Sequence, residues 1–200
     1  MSKTRMLAII VLSATFAATG ARADVTHSPL KAANRGVAAQ GDADETTIRR
    51  LIEQFRTIKI SLSQAVAIAE HLHDGSRTAD ISLEISGPAI YRVRTVGNER
   101  LWENVIDANT GSVTEKEVSS SLRELDRDDL GNIIALKSAG QELSDAVRIA
   151  EKAAEGSALA GGLVKQDGKL NFVVVIASGD RLKEVTLEPP RVGKQGAALH

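Results

Sequence analysis

The sequence predicts an α+β fold made of two tandem small domains, each a helix packed on a three- to four-stranded antiparallel sheet. When the chain of 200 residues is aligned with itself at an offset of 81, fifteen of the forty-seven positions from 61 to 107 are identical. Each copy begins with apolar residues at a helical period, and alternating apolar and polar residues follow, as in half-buried strands. Repeats of solenoid proteins are about 20–50 residues long, so this longer period indicates tandem domains.

The first main element of each copy is a predicted helix with apolar residues at i, i+3, i+4 and i+7. These residues are Leu62, Ala65, Val66 and Ala69 in the first copy, and Leu143, Ala146, Val147 and Ala150 in the second. Gly75 and Gly156 follow at positions where a helix commonly ends with a left-handed residue. A further short helix is predicted ahead of each main helix, because Ile52 and Phe55 match Ile133 and Leu136.

Three strands are predicted after each main helix. In the first copy they are "ADISLEIS" (79–86), "IYRVRTV" (90–96) and "LWENVID" (101–107). Tyr91, Val93 and Thr95 share one face, which we expect the helix to cover, while Arg92 and Arg94 are expected to face water. Turn residues separate the last two strands, Gly97-Asn98 in the first copy and 178–180 in the second, and this spacing is typical of hairpins.

The N-terminus has the pattern of a cleavable secretory signal. Lys3 and Arg5 precede an apolar run, and "ARA" at 21–23 supplies small residues at a cleavage site. A membrane-spanning helix would need about twenty apolar residues, and threonine, serine and glycine interrupt this run. We therefore expect cleavage after Ala23, a periplasmic or secreted mature protein, and no membrane insertion after cleavage.

Charge and cysteine content narrow the function classes. Removal of Lys3, Arg5 and Arg22 leaves 22 basic residues against 26 acidic ones, a net charge of −4. That charge argues against nucleic acid or an anionic membrane surface as partner. The chain has no cysteine, so it forms no disulfide and lacks the lipid-bearing residue of a lipoprotein.

Composition divides the chain into six segments. We expect a signal peptide (1–23), a flexible arm (24–44), a first domain (45–115), a charged linker (116–125), a second domain (126–188) and a disordered tail (189–200). The residues of the arm are mostly small or polar, with many Ala and Gly. After Pro189 and Pro190 the tail shows no periodic pattern.

The stretch "VIDANTG" (105–111) resembles the start of a calcium loop but is better explained as a turn. An EF-hand loop beginning at Asp107 would need an oxygen ligand at position five, where Gly111 lies, and Glu at position twelve, where Val118 lies. In a turn, Asp107 can accept a backbone N–H two residues on, and Gly111 can adopt a positive φ. Asp107, Thr110 and Gly111 are therefore predicted to form a structural turn, with Asp107 kept as a weak metal candidate.

No catalytic constellation is evident in the sequence. His71 and His73 are the only close histidine pair, but residues at i and i+2 point to opposite sides of a helix, whereas a metal-binding helix uses i and i+4. We expect exposed histidines at a helix end, with weak metal capture as the alternative. The chain has no G-x-S-x-G elbow and no thiol. We expect no catalytic residue, no cofactor and no dedicated metal site.

Two motifs resemble the PepSY family of small domains: the helix opening "ISLSQAVAIAE" (60–70) and the closing "VIDANTG" (105–111). The resemblance covers roughly 58–115 and, more weakly, 141–188. The second copy departs from the family pattern at Pro189, where the closing turn is missing. The resemblance implies a domain type found in the propeptides of thermolysin-type metallopeptidases and in a spore-germination protein. It therefore implies a role in restraining or assisting peptidases.

A candidate docking face lies on the second copy. Its central strand "FVVVIA" has Val173 and Val175 where the first copy has Arg92 and Arg94. A strand that is apolar on both faces is normally covered on both. We expect the first copy, a second molecule or a regulated protein to cover this face; the alternatives are the linker or the tail. Trp102 is a second partner-binding candidate, although a packing role is favoured.

These observations predict a non-enzymatic exported protein-binding module. The family resemblance implies that it acts as a peptidase inhibitor or regulator, in trans because no peptidase domain follows. The expected partner is an envelope peptidase or a membrane receptor, with homodimer formation as a further alternative. The alternative function is that of a periplasmic ligand- or metal-binding sensor or accessory protein.

Overall fold

A computed structural model describes residues 33–35, 45–85, 87–166 and 169–189. The predicted signal peptide, most of the predicted arm and the tail from residue 190 lie outside the described residues. The first copy contains α1 (Glu45–Phe55), α2 (Leu62–His71), β2 (Arg77–Glu84), β3 (Ile90–Gly97) and β4 (Arg100–Asp107), preceded by β1 (Ala33–Arg35). After β5 (Val118–Ser121) and a short 3₁₀ turn (Leu122–Glu124), the second copy contains α3 (Arg127–Ser138), α4 (Leu143–Ala154), β6 (Ser157–Gln166), β7 (Lys169–Ser178) and β8 (Arg181–Leu187). The predicted α+β class is confirmed.

The two copies share one antiparallel sheet, with strand order β1-β8-β7-β6-β2-β3-β4-β5. The equivalent strands β2 and β6 pair at the centre, where Ile81 lies opposite Gly161. On either side Asp80 pairs with Gly162 and Ser82 with Ala160, so a local twofold axis relates the copies. The sequence analysis expected two separate sheets. Pairing satisfies the open backbone groups that each copy would leave on its edge strand, which strand patterning alone cannot show.

Helices α2 and α4 cover one face of this sheet, called here the inner face. Ser61 caps α2 by accepting from the Gln64 backbone N–H, while the Gln64 side chain accepts from Ser61 N–H. A single core cluster joins the two copies beneath these helices; its buried members include Val66, Tyr91, Val93, Val147, Phe172, Val174 and Ile176. The predicted apolar helix faces are therefore the ones that are buried.

Helices α1 and α3 lie against the opposite, outer face, and each packs on the other copy's strands. Ile52 of α1 packs with Leu159 and Ala177 of the second copy. Ile133 of α3 lines a cavity together with Arg94 and Leu101 of the first copy. The molecule thus has three layers, with two helices on each side of the sheet.

Two segments expected to be irregular form the outermost strands. Within the predicted arm, β1 pairs with β8 through Ala33–Thr186 and Arg35–Glu184. Within the predicted linker, β5 pairs with β4 from Arg100–Ser121 to Glu103–Val118. Those predictions were wrong at these residues because β4 and β8 would otherwise leave their backbone groups unpaired, whatever the local composition.

Gly75 has the predicted positive φ, +74°, but α2 ends earlier, at His71, and its C-terminal cap Leu72 has a right-handed conformation. After α4, however, the left-handed residue is Glu155, with a φ of +52°, and not Gly156. Gly156 has a different constraint: a Cβ there would lie 2.3 Å from the carbonyl oxygen of Ala177. Only glycine permits that close backbone approach.

Candidate functional site on the outer face

A buried charge pair lies on the outer face of the first copy, beneath α3. Asp80 of β2 and Arg94 of β3 are directly paired across the two strands. Arg94 donates from Nε to Asp80 Oδ2 at 2.6 Å, and its Nη2 lies 2.5 Å from the same oxygen. Asp80 is only 5% exposed, so this charge pair is largely removed from water. The expectation that Arg94 faces water was wrong, since α3 covers it.

A third charged group approaches the pair from the helix. Arg94 Nη1 lies 3.9 Å from Asp129 Oδ2, and the Asp129 side chain is 44% exposed. Between α3 and the sheet these groups line a small, partly open cavity of about 30 Å³. It is lined by Ala79, Asp80, Arg94, Leu101, Leu125, Asp129, Asn132, Ile133, Leu136 and Leu163. Because Asp129 lines the cavity and its side chain is also exposed, its carboxylate lies between the cavity and the solvent.

The buried carboxylate of Asp80 is only half satisfied. Its Oδ2 carries both contacts to Arg94, whereas its buried Oδ1 has no hydrogen-bond partner among the described residues. Burial raises the pKa of Asp80 above its ordinary value; Arg94 opposes the rise, while Asp129 and Glu103 add to it. An unpaired buried acceptor costs free energy, so this oxygen needs a physical explanation.

Arg92, the other arginine of this strand face, lies in a surface network. It donates from Nε to Glu84 Oε1 at 2.9 Å and from Nη1 to Glu103 Oε1 at 2.8 Å. The hydrogen bond to Glu84 is the main cause of a pKa raised above the ordinary arginine value; the bond to Glu103 also raises it, while burial opposes the rise. Arg92 is thus held by two carboxylates.

The second copy is apolar at the positions equivalent to this cavity. Ala160 and Val175 pair across β6 and β7 as Asp80 and Arg94 pair across β2 and β3. Ile48 of α1 precedes Ile52 as Asp129 of α3 precedes Ile133, so Ile48 is the counterpart of Asp129. The apolar cluster under α1 contains Ile48, Leu51, Ile52, Phe55, Leu83, Leu159, Val175, Ala177 and Leu182.

The predicted docking residues fall partly within this cluster. Val175 packs in this cluster beneath α1, which is a helix of the first copy. Coverage by the first copy was one of the three possibilities expected from the sequence. Val173 lies one step along β7, paired with Gly162 and Thr186, and is half-buried. The two valines therefore differ: α1 covers Val175, and Val173 lies outside the α1 cluster.

The structure brings together two other predicted residues, His73 and Trp102. Their rings stack with centroids 4.1 Å apart, and His73 Nε2 lies 2.6 Å from Glu117 Oε2. Trp102 is 8% exposed, which agrees with a packing role. His71 is exposed. Within the described part of the chain, no group of three or more His, Asp or Glu side chains could hold a metal ion.

The residues Asp107, Thr110 and Gly111 form a tight turn after β4. Asp107 Oδ1 accepts from Asn109 N at 2.9 Å, from Thr110 N at 2.8 Å and from Thr110 Oγ1 at 3.0 Å. These hydrogen bonds, led by the Asn109 backbone N–H, lower the pKa of Asp107. Gly111 has a φ of +74° and donates to the Asp107 carbonyl oxygen. The Asp107 carboxylate is therefore engaged by its own turn.

The cavity residues Asp80, Asp129 and Asn132 were not among the sequence candidates. One signal for them was present: in the self-alignment, each of the polar residues Arg94, Asp129 and Asn132 matches an apolar residue of the other copy, namely Val175, Ile48 and Leu51. The packing of α3 across the first copy was needed to bring these positions together.

Comparison with known proteins agrees with the resemblance seen in the first copy. Residues 59–117 match the PepSY family, described as peptidase propeptide and YPEB domain. A solved structure of a candidate lipoprotein from Clostridium difficile 630 is 21% identical, covering 68% of this chain and 90% of that chain, with a TM-score of 0.39. No curated protein matches significantly. Among the described residues, no helix has the length and apolar character needed to cross a membrane.

Proposed function

We propose that this chain is a non-enzymatic exported module that binds another protein and regulates a peptidase in trans. The observation that carries the proposal is the match of residues 59–117 to a family described by its occurrence in peptidase propeptides. A propeptide domain acts by contacting its peptidase, and PepSY domains are generally non-catalytic. Export is supported by the signal-type N-terminus, with its basic start, apolar run and A-x-A site.

The outer face around Val173 is the surface that we assign to the partner. Val173 is half-buried and apolar, whereas its counterpart Arg92 is held by two glutamates. Its neighbours across the strands, Gly162 and Thr186, carry no charge. An apolar strand position bordered by small uncharged residues suits an apolar side chain of a partner protein.

The test uses the purified mature protein and a secreted thermolysin-type metallopeptidase. Binding is measured by calorimetry, and peptidase activity is measured by titration against a peptide substrate. We expect Val173→Arg to weaken binding by at least about tenfold, because it places an unpaired charge in the contact. Val118→Arg is the matched control, since Val118 is 63% exposed on the far edge strand β5.

Both variants should keep the wild-type melting temperature within a few degrees. Equal weakening by Val173→Arg and Val118→Arg would show that the outer face of the second copy is not the contact. A mature protein that neither binds the peptidase nor changes its activity would count against the proposed regulation itself.

A further inference from the structure

The charged cavity beneath α3 is not required by the fold. At the twofold-related site beneath α1, Ile48 and Leu51 pack in an apolar cluster with Val175, and Ala160 pairs with Val175 where Asp80 pairs with Arg94. Replacing a buried ion pair by well-packed apolar residues is commonly neutral or stabilising. The site beneath α1 therefore shows the purely structural solution, and the site beneath α3 departs from it with three charged residues and one amide.

One carboxylate oxygen beside the cavity accepts no hydrogen bond from the described residues. Asp80 Oδ1 is buried and unpaired within the described structure, and the residue lines the cavity at 5% exposure. Arg94 already directs two nitrogens at the other oxygen, Oδ2. A ligand that donates an N–H to Oδ1 would complete the carboxylate's hydrogen bonding.

The net charge of the cavity indicates the sign of the charge that a ligand would carry. Two carboxylates, Asp80 and Asp129, face one guanidinium in the cavity. The next acid on this face, Glu103, is already paired with Arg92. The cavity therefore carries an excess of one negative charge, which favours a cation over an anion or a neutral group.

The size and walls of the cavity specify the shape of the ligand. A volume of about 30 Å³ accommodates roughly two water-sized atoms. Leu101, Leu125 and Ile133 form apolar walls beside the charged end. A nitrogen attached to one methyl or methylene carbon fits this volume and this pairing of polar and apolar surfaces.

We propose that this cavity binds a primary ammonium group, with Asp80 Oδ1 and the carboxylate of Asp129 accepting its N–H donors. Asn132 supplies a further acceptor through its side-chain carbonyl, and the leucine walls contact the first carbon. Asp129, the most exposed charged group of the site, marks the entrance. The group belongs either to a small free amine or to a lysine side chain of a partner protein. This inference does not depend on the proposed peptidase regulation.

Methylammonium chloride is the probe for the test, titrated into the mature protein and followed by amide chemical shifts. We expect saturable binding with a millimolar Kd, because so few atoms provide limited binding energy. Shifts should be centred on residues of β2, β3 and α3. Sodium chloride and tetramethylammonium chloride at equal ionic strength are the comparators, since neither donates an N–H.

Variants of this site take their residues from the equivalent site beneath α1. Asp129→Ile and the double variant Asp80→Ala with Arg94→Val should each weaken methylammonium binding by at least about tenfold. Both should remain folded, because the equivalent site beneath α1 is packed with apolar residues. Asp145→Asn removes an exposed carboxylate of α4 and should leave Kd unchanged.

A capped lysine amide and its Nε-acetyl form separate the two sources of the ammonium group. Tighter binding of the lysine amide than of methylammonium, lost on acetylation, indicates a partner's lysine. Binding of methylammonium alone indicates a free amine. Equal shifts with tetramethylammonium, or with the Asp80→Ala and Arg94→Val double variant, would overturn the proposal and leave a cavity that holds only water.

Discussion

The outer faces of the two copies are each covered by a helix, but one contact is apolar and the other is charged. Under α1, the second copy buries an apolar cluster built around Ile52 and Val175. Under α3, the first copy buries the Asp80–Arg94 pair beside a small cavity. The backbone pairing is the same in both, so the difference lies in the side chains. The scaffold tolerates either solution, and charge under α3 is thus a feature added to the fold.

The largest effect is expected when one partner of the charged pair is removed. Arg94→Val leaves the buried Asp80 carboxylate without its guanidinium and should lower the free energy of unfolding by about 3 kcal/mol. Adding Asp80→Ala recreates the residues of the second copy and should recover most of that loss. Urea denaturation of the two variants measures the difference. A double variant as unstable as the single one would show that α3 cannot pack on an apolar surface.

This comparison also shows what the sequence could and could not predict. The helices and central strands followed from the 3.6- and 2-residue periods, because those periods record which face of each element is buried. The pairing of β2 with β6 depends on which edges meet, and no residue in either strand records that choice. The site was missed for a related reason. In the sequence, Arg94 alternates with buried residues, which is the pattern of an exposed position. Only the three-dimensional structure shows that α3 covers it.

On the inner face, too, the first copy buries a polar residue where the second copy buries an apolar one, and this difference gives the second prediction. Asn104 is 1% exposed, and neither polar atom of its amide has a hydrogen-bond partner in the described structure. Its counterpart beside Val174 is the buried residue Val185. Asn104→Val should raise the free energy of unfolding by about 1 kcal/mol, because it removes unpaired buried polar atoms.

Thermal and urea denaturation of Asn104→Val are the measurements. Thr95→Val is the companion variant, since the buried Thr95 hydroxyl also lacks a described partner. A loss of stability in Asn104→Val would mean that the amide has partners, such as ordered water, that an apolar side chain cannot replace.

The third prediction concerns pH, for which two aspartates of the first copy act in opposite directions. Burial raises the pKa of Asp80 above its ordinary 3.8, whereas hydrogen bonds from Asn109 and Thr110 lower that of Asp107. As pH rises from 3.8 through the folded pKa of Asp80, the folded state must ionise a group it prefers to keep protonated, so stability falls. Asp107 stabilises the fold above its unfolded pKa, and that contribution is lost as pH falls.

Melting temperatures between about pH 3 and pH 7 separate the two contributions. The melting temperature of the double variant Asp80→Ala with Arg94→Val, minus that of wild type, should increase as pH rises. For Asp107→Ala, the loss relative to wild type should shrink as pH falls. A difference for the double variant that does not depend on pH would show that Asp80 has the same pKa folded and unfolded.

The smallest effect is expected where the two outer helices end. Arg56, just after α1, donates to Asp180 Oδ1 at 2.9 Å, and both side chains are exposed. Surface ion pairs contribute about 0–1 kcal/mol, so Asp180→Ala should change the free energy of unfolding by less than about 0.5 kcal/mol. At the end of α3, half-buried Arg77 instead donates to the carbonyl oxygens of Leu136, Ala139 and Gln141. Arg77→Ala should cost several times more, because it leaves those acceptors without a charged donor. Equal losses in the two variants, measured by urea denaturation, would show that α1 depends on its terminal ion pair as strongly as α3 depends on Arg77.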